Sequence, residues 1–330
     1  MPALSTNSGG EEGVFNVLLT GFGPFQNHKP ENPSWLAVKP LHNVVIPLDS
    51  DPVVIDGQVV MRATSSKQWL VKISALQIPV EYEAVMDTVP KLHLRPPVLP
   101  DEVKDDFYPL PPDKGYDFIF HVGVAGRGPL RMEKLGHKLG YHMKDAVGRM
   151  APIVKGPPSE FGRREIEDTV SVGEQPLQVG ERLGLGFEME SAGDSYSARP
   201  NRGFGVGYEK FSDGQSSMLL QNLTFVQAVP EIYTDIDVSR LVYDLRNSGI
   251  EQIYSSMDAG HYICDFTYYC SLAESKRNGK PYEKDRNTQV LFVHCPPVGQ
   301  PLTTEDVTEA IRRIVFWVCS ELAEIHDLAA

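Results

Sequence analysis

Five apolar, β-branched runs punctuate the chain, at residues 14–20, 70–79, 116–126, 250–257 and 288–297, and helical patterns lie between them. Strands that alternate with helices need crossovers, and crossovers place helices on both faces of a sheet. The pattern therefore predicts an α/β fold, a three-layer α/β/α sandwich around a mostly parallel, twisted sheet. The helical stretches are a short one over 34–41, "EYEAVMDTVPKL", and 235–249, where Val238, Leu241, Val242 and Leu245 share a face and Gly249 is the stop. In "DAGHYICDFTYYCSLAESK", Ala259, Tyr262, Ile263, Phe266, Cys270 and Ala273 fall on one helical face. A closing helix from near Thr303 buries Val307, Ile311, Ile314, Val315, Val318 and Leu322.

With 330 residues and 41% hydrophobic composition, the reading is one domain over 1–330. It carries a flexible polar tail over 1–13 and insertions near 43–69, 96–115 and 155–220, the last rich in glycine and charge and without period. The excess of 44 acidic over 31 basic side chains, a net charge of −13, opposes nucleic acid and anionic membrane surfaces. No apolar run reaches ~18 residues, and the tail lacks the apolar core of a signal peptide. A cytoplasmic location is expected, with the oligomeric state, a homo-oligomer included, left open.

In such a location disulfides are uncommon, and the four cysteines (Cys264, Cys270, Cys295, Cys319) crowd into the last quarter of the chain. At least one is then a candidate for chemistry. A zinc reading would combine His261, Cys264, Cys270 and His294, but these lack the paired hooks of structural zinc sites. No metal is expected.

The first strand runs into "GFGPFQNHKPENPSW". A dinucleotide fingerprint would place a third glycine where Gln26 stands, and two rings, Phe22 and Phe25, flank a rigid proline instead. That suits a small, flat, largely uncharged ligand. Ligands in parallel sheets sit at the carboxyl ends of strands, and the same rule gathers Phe22 and Phe25, the segment from Gly123 to Glu133, Cys264 and His294 on one rim. A cysteine with a histidine is the pair for thiolate attack on a carbonyl, and a carboxylate such as Glu133 can orient the imidazole. Each residue also has a plain structural reading: a core cysteine, a turn histidine, a solvated glutamate, packed phenylalanines. Their joint placement favours the chemistry.

The blocks "TGFGPFQNHKPENPSW", "IPVEYEAV", "HVGVAG" followed by "MEKLGHKLGY", "DAGHYICDFTYYCSL" and "FVHCPP" resemble, in order, those of the pyroglutamyl peptidase I family of cysteine peptidases. They cover roughly half of the chain. The resemblance implies a Cys/His/Glu triad at Cys264, His294 and Glu133, and removal of N-terminal 5-oxoproline from small peptides without metal or cofactor. It implies an aromatic clamp of Phe22 and Phe25 with Tyr262 as a third wall, and Asn32, placed with a one-residue gap, at the substrate. Gly123, Val124 and Ala125 would offer backbone groups to the lactam. A start of the helix at Gly260 would put Cys264 at the positive end of the dipole and lower its pKa. Lys138 departs from an asparagine common in relatives, no arginine downstream of Glu133 matches, and the oxyanion-stabilising group is left open. The alternative is a relative that binds, or hydrolyses, other N-terminally blocked peptides.

Overall fold

The computed structural model describes residues 13–48, 53–55, 58–60, 68–103, 110–152, 231–278 and 287–329. The strands are β1 (Gly13–Phe22), β2 (Val45–Pro47), β3 (Val53–Ile55), β4 (Gln58–Val60), β5 (Trp69–Ile78), β6 (Phe118–Val124), β7 (Leu130–Glu133), β8 (Leu135–His137), β9 (Glu231–Tyr233), β10 (Ile253–Ser256) and β11 (Gln289–Cys295). The helices are α1 (Pro33–Val38), α2 (Tyr82–Leu92), α3 (Val238–Asn247), α4 (Ile263–Asn278) and α5 (Thr304–Ala329).

Seven strands form one sheet in the order β10-β7-β11-β6-β1-β5-β2. The central four, β11, β6, β1 and β5, run parallel, whereas β7 and β2 pair antiparallel to their inner neighbours. From β1 the chain crosses to β5 on one side and then returns to β6 on the other. That reversal opens a crevice at the carboxyl ends of β1 and β6. Period-two alternation sorts the side chains into two faces. Phe15, Val17, Leu19, Phe120, Val122, Leu291 and Val293 meet one helical layer, to which α1, α3 and α5 contribute. Phe22, Ile78, Val290 and Phe292 meet the other, made by α2 and α4.

Local signals explain the helix ends. Asp237 Oδ1 accepts from Arg240 N at 3.0 Å to start α3, which buries the four residues its spacing predicts. Thr303 and Asp306 bond each other's backbone N–H at 3.1 and 2.9 Å, a capping box ahead of α5. Helix α4 differs: Ile263 and the run 265–275 are all buried, so no polar face marks its start. It begins at Ile263, leaving Ala259 and Tyr262 ahead of the helix. The expected insertion at 43–69 contributes the edge strand β2 and the hairpin β3–β4. Within 96–115, Leu99 packs with Leu18, Leu76 and Ile119. The expected insertion at 155–220, like the tail before Gly13, lies outside the described residues. Among those described, no helix is long and apolar enough to cross a membrane.

Under α2 and α4 lie two buried histidines. His121 Nδ1 meets Thr20 Oγ1 at 2.7 Å, and His93 Nε2 meets Ser271 Oγ at 2.8 Å. Burial pushes both imidazoles down to about 3, with the Arg95 charge adding to the effect on His93 and His93 adding to it on His121. Above the ordinary value of 6.5 both are neutral folded and unfolded, so neither contributes. Below it the unfolded chain takes up protons first, and stability falls by up to about 1.4 kcal/mol per pH unit for each histidine, until the folded-state values are reached. His137, raised through Asp265 against the effect of its own burial, works in the opposite sense. The urea midpoint is therefore expected to drop between pH 6.5 and 5, and to drop less in His121→Asn. A midpoint flat over that window, or slopes equal in the two chains, would refute this pH dependence.

Candidate active site

The loop after β1 is held from below. A Cβ at Gly21 would come within 2.8 Å of Trp35 Cα, so α1 can pack this closely only against glycine. Asn32 caps α1: its Oδ1 accepts from Ser34 N at 3.0 Å and Ser34 Oγ at 2.9 Å, while Nδ2 donates to Gly23 O at 3.1 Å. The resemblance implies Asn32 at the substrate; in the structure it is fully buried and anchors the glycine loop to the helix. Phe22, only 2% exposed, belongs to the core with Phe292 at 6.5 Å between ring centroids, whereas Phe25 is half-buried, packs on that core and lies 5.4 Å from the His28 ring. The two rings thus differ, and Phe22 is no free-standing wall.

Glu133 is not on a loop, as the sequence implied, but on β7, antiparallel to β11, with Phe292 opposite Glu133 and His294 opposite Arg131. Alternation puts Glu133, Arg131, Phe292 and His294 on one face of the sheet. There His294 Nδ1 and Glu133 Oε1 lie 2.7 Å apart, with both side chains buried. A carboxylate only accepts, so Nδ1 is the donor in this contact, and Nε2 is the nitrogen it leaves unengaged. Glu133 Oε2 has no hydrogen-bond partner among the described residues, and Arg131 Nε is 4.0 Å from Oε1. The imidazole is therefore the hydrogen-bond partner of the Glu133 carboxyl, with the Arg131 guanidinium at its edge.

Cys264 stands in the first turn of α4. Its thiol lies over Gly123, the residue paired with His294 in the β6–β11 ladder, for a Cβ there would approach Sγ to 2.8 Å. Glycine makes the room. Burial, then the charges of Asp265 and Glu133 and the neighbouring Cys295, push the thiol pKa up, and Arg131 opposes them only in part. This direction runs against the expectation of a thiol acidified by the helix N-terminus, although Cys264 does stand in the first turn of α4. Cys270 and Cys319 are buried, and Cys295, pushed up to about 12, fills the opposite face of the sheet.

Tyr262 leans edge-on against Tyr82, with centroids 6.3 Å apart, and its hydroxyl donates to Lys144 O at 3.2 Å. Of the backbone groups expected to meet a ligand, the Ala125 N–H is already bonded to Cys295 O at 2.9 Å, and the Val124 side chain packs on the core away from Cys264. Gly123 adjoins the thiol. Sequence reasoning missed Arg131. Its signal was the i, i+2 spacing from Glu133, legible only once 130–133 is known to be a strand.

No family model matches the chain. Among characterised proteins it is 22% identical to human pyroglutamyl-peptidase 1 over 301 residues, covering 91% of this chain and 87% of the human protein, with the same figures for the mouse protein. A mutant pyrrolidone carboxyl peptidase from the hyperthermophile Pyrococcus furiosus shares the fold, with TM-score 0.50 and 16% identity over 93% of this chain and 100% of that one. Along nearly its whole length the chain is similar to pyroglutamyl-peptidase 1, and its fold is similar to that of the pyrrolidone carboxyl peptidase.

Proposed function

We propose that the chain is a cysteine peptidase that hydrolyses the bond after an N-terminal pyroglutamyl residue, with Cys264 as nucleophile, His294 as base and acid, and Glu133 orienting the imidazole. The observation that carries this reading is the buried 2.7 Å contact of His294 with Glu133 on the sheet face where the Cys264 thiol lies. Attack and deprotonation go together: Sγ bonds to the carbonyl carbon of the scissile bond as its proton passes to His294 Nε2. The imidazolium, stabilised by Glu133, then protonates the leaving nitrogen as the C–N bond breaks, leaving a thioester. Water attacks the thioester carbon as His294 takes its proton; the C–S bond then breaks, free pyroglutamate leaves, and the imidazolium returns the proton to Sγ. Phe25 and Tyr262, half-buried on the core cluster against which Cys264 also packs, are in this reading the rings that meet a flat lactam, which has no ionisable amine for an ordinary aminopeptidase to hold. Small pyroglutamyl peptides are the substrates, and four free cysteines fit a reducing, cytoplasmic setting.

Purified protein is expected to cleave a pyroglutamyl chromogenic amide with a burst of acyl-enzyme and to leave prolyl and alanyl amides intact. Binding without turnover would favour the non-catalytic alternative, and cleavage of other blocked amides the re-specified one. Glu133→Gln is expected to lower kcat by roughly tenfold to a thousandfold with little change in KM, because the amide still holds the imidazole but does not stabilise its charge. An unchanged kcat would remove Glu133 from the mechanism.

A further inference from the structure

Beside the nucleophile lies a second cluster of metal-ligating groups. His137, at the end of β8, and His261, ahead of α4, converge on Asp265, and one ligand atom from each lies within 4.8 Å of the others. Asp265 is fully buried; its Oδ2 is 3.0 Å from His137 Nδ1 and 3.5 Å from His261 Nδ1. The imidazole centroids are 4.3 Å apart. A tetrahedral zinc ion with bonds of about 2.0–2.1 Å sets its ligands roughly 3.3–3.4 Å from one another, and the two measured separations bracket that value.

Two backbone features build this corner. His261 adopts a left-handed conformation, φ 45°, rare outside glycine, and its Nδ1 lies 3.1 Å from Leu139 O. Gly140, at φ 104°, faces it so closely that a Cβ would approach Nδ1 to 2.8 Å. Such strain persists where the surroundings enforce it, commonly at binding sites. His261 is partly exposed, so an ion can reach the corner from solvent.

We propose that His137, His261 and Asp265 form a site for a borderline divalent cation, zinc first, with solvent completing the coordination. Two imidazoles and a carboxylate are a donor set that suits zinc and leaves a fourth position open. Each ligating Nδ1 presents its lone pair while the ring hydrogen sits on Nε2, and bonds to the ion replace the contacts of Nδ1 with Asp265 and Leu139. His261 and Asp265 bracket Tyr262 and Cys264 in sequence, so an ion held between them ties down the segment that carries the nucleophile. The site stands independently of the peptidase reading.

The test is a calorimetric titration of zinc into the full chain carrying Cys264→Ala, which removes the rival thiol ligand. One ion per chain is expected to bind. Adding His261→Gln, a change at a partly exposed residue that does not threaten folding, should weaken binding roughly tenfold or more, as should His137→Gln. Cobalt(II) in the same background should give the visible spectrum of a four- or five-coordinate N/O site, and His261→Gln should abolish it. Absence of saturable binding in the Cys264→Ala chain, or an affinity indifferent to both histidine changes, would overturn the proposal.

Discussion

Cys264→Ala is expected to give a folded chain whose turnover of a pyroglutamyl amide is lower by on the order of a thousandfold or more, because nothing else at that position can form the thioester. The change removes one half-buried sulfur atom over Gly123, so the urea midpoint should stay near that of the parent. His294→Ala should also abolish turnover but is the poorer test. It strands the buried Glu133 carboxylate without its imidazole, and lost stability would then mix with lost chemistry. Iodoacetamide should label Cys264 first, since the other three cysteines are buried. Turnover that survives Cys264→Ala would rule out a thioester on this chain.

The second large effect concerns stability. Phe22→Ala is expected to cost about 3–5 kcal/mol, the usual range for deleting a packed phenylalanine, since its ring is enclosed by the core beneath α2 and α4. Phe25→Ala should cost far less stability and should instead raise KM, by on the order of tenfold to a hundredfold, if its half-buried ring closes on the lactam. Urea unfolding and steady-state kinetics on both variants separate the roles. Equal stability losses at the two positions would refute the division.

These two rings also mark how far the sequence could be read. Spacing three residues apart in "GFGPF" revealed aromatic content but not that β1 continues through Phe22, which turns one ring into the core and leaves the other at the rim. The long elements were legible because continuous β-branched runs such as 116–126 and the 3.6-residue period of α3 leave little ambiguity. Strands of three or four residues were not: "LRME" offers too few alternations to register, so β7 was read as loop although it carries both Glu133 and Arg131. The start of α4 escaped because a helix buried on nearly every side has no polar stripe to phase it. Cys264, His294 and Glu133 were singled out by chemical type, strand-end position and the family resemblance, and the structure puts His294 against Glu133. The capping role of Asn32 was not, because a buried carboxamide bonding three backbone and side-chain groups looks in sequence like any asparagine before a proline.

The antiparallel pairing of β7 with β11 has a consequence for how this chain can change. Glu133 and His294 meet only because Phe292 lies opposite Glu133 and His294 opposite Arg131. Side chains alternate with a period of two, so inserting or deleting a single residue within either strand would rotate one partner to the far side of the sheet. The carboxylate and the imidazole are thus inherited together as a reading frame written in backbone hydrogen bonds, and length variation at this corner is tolerated outside 130–133 and 289–295 or not at all.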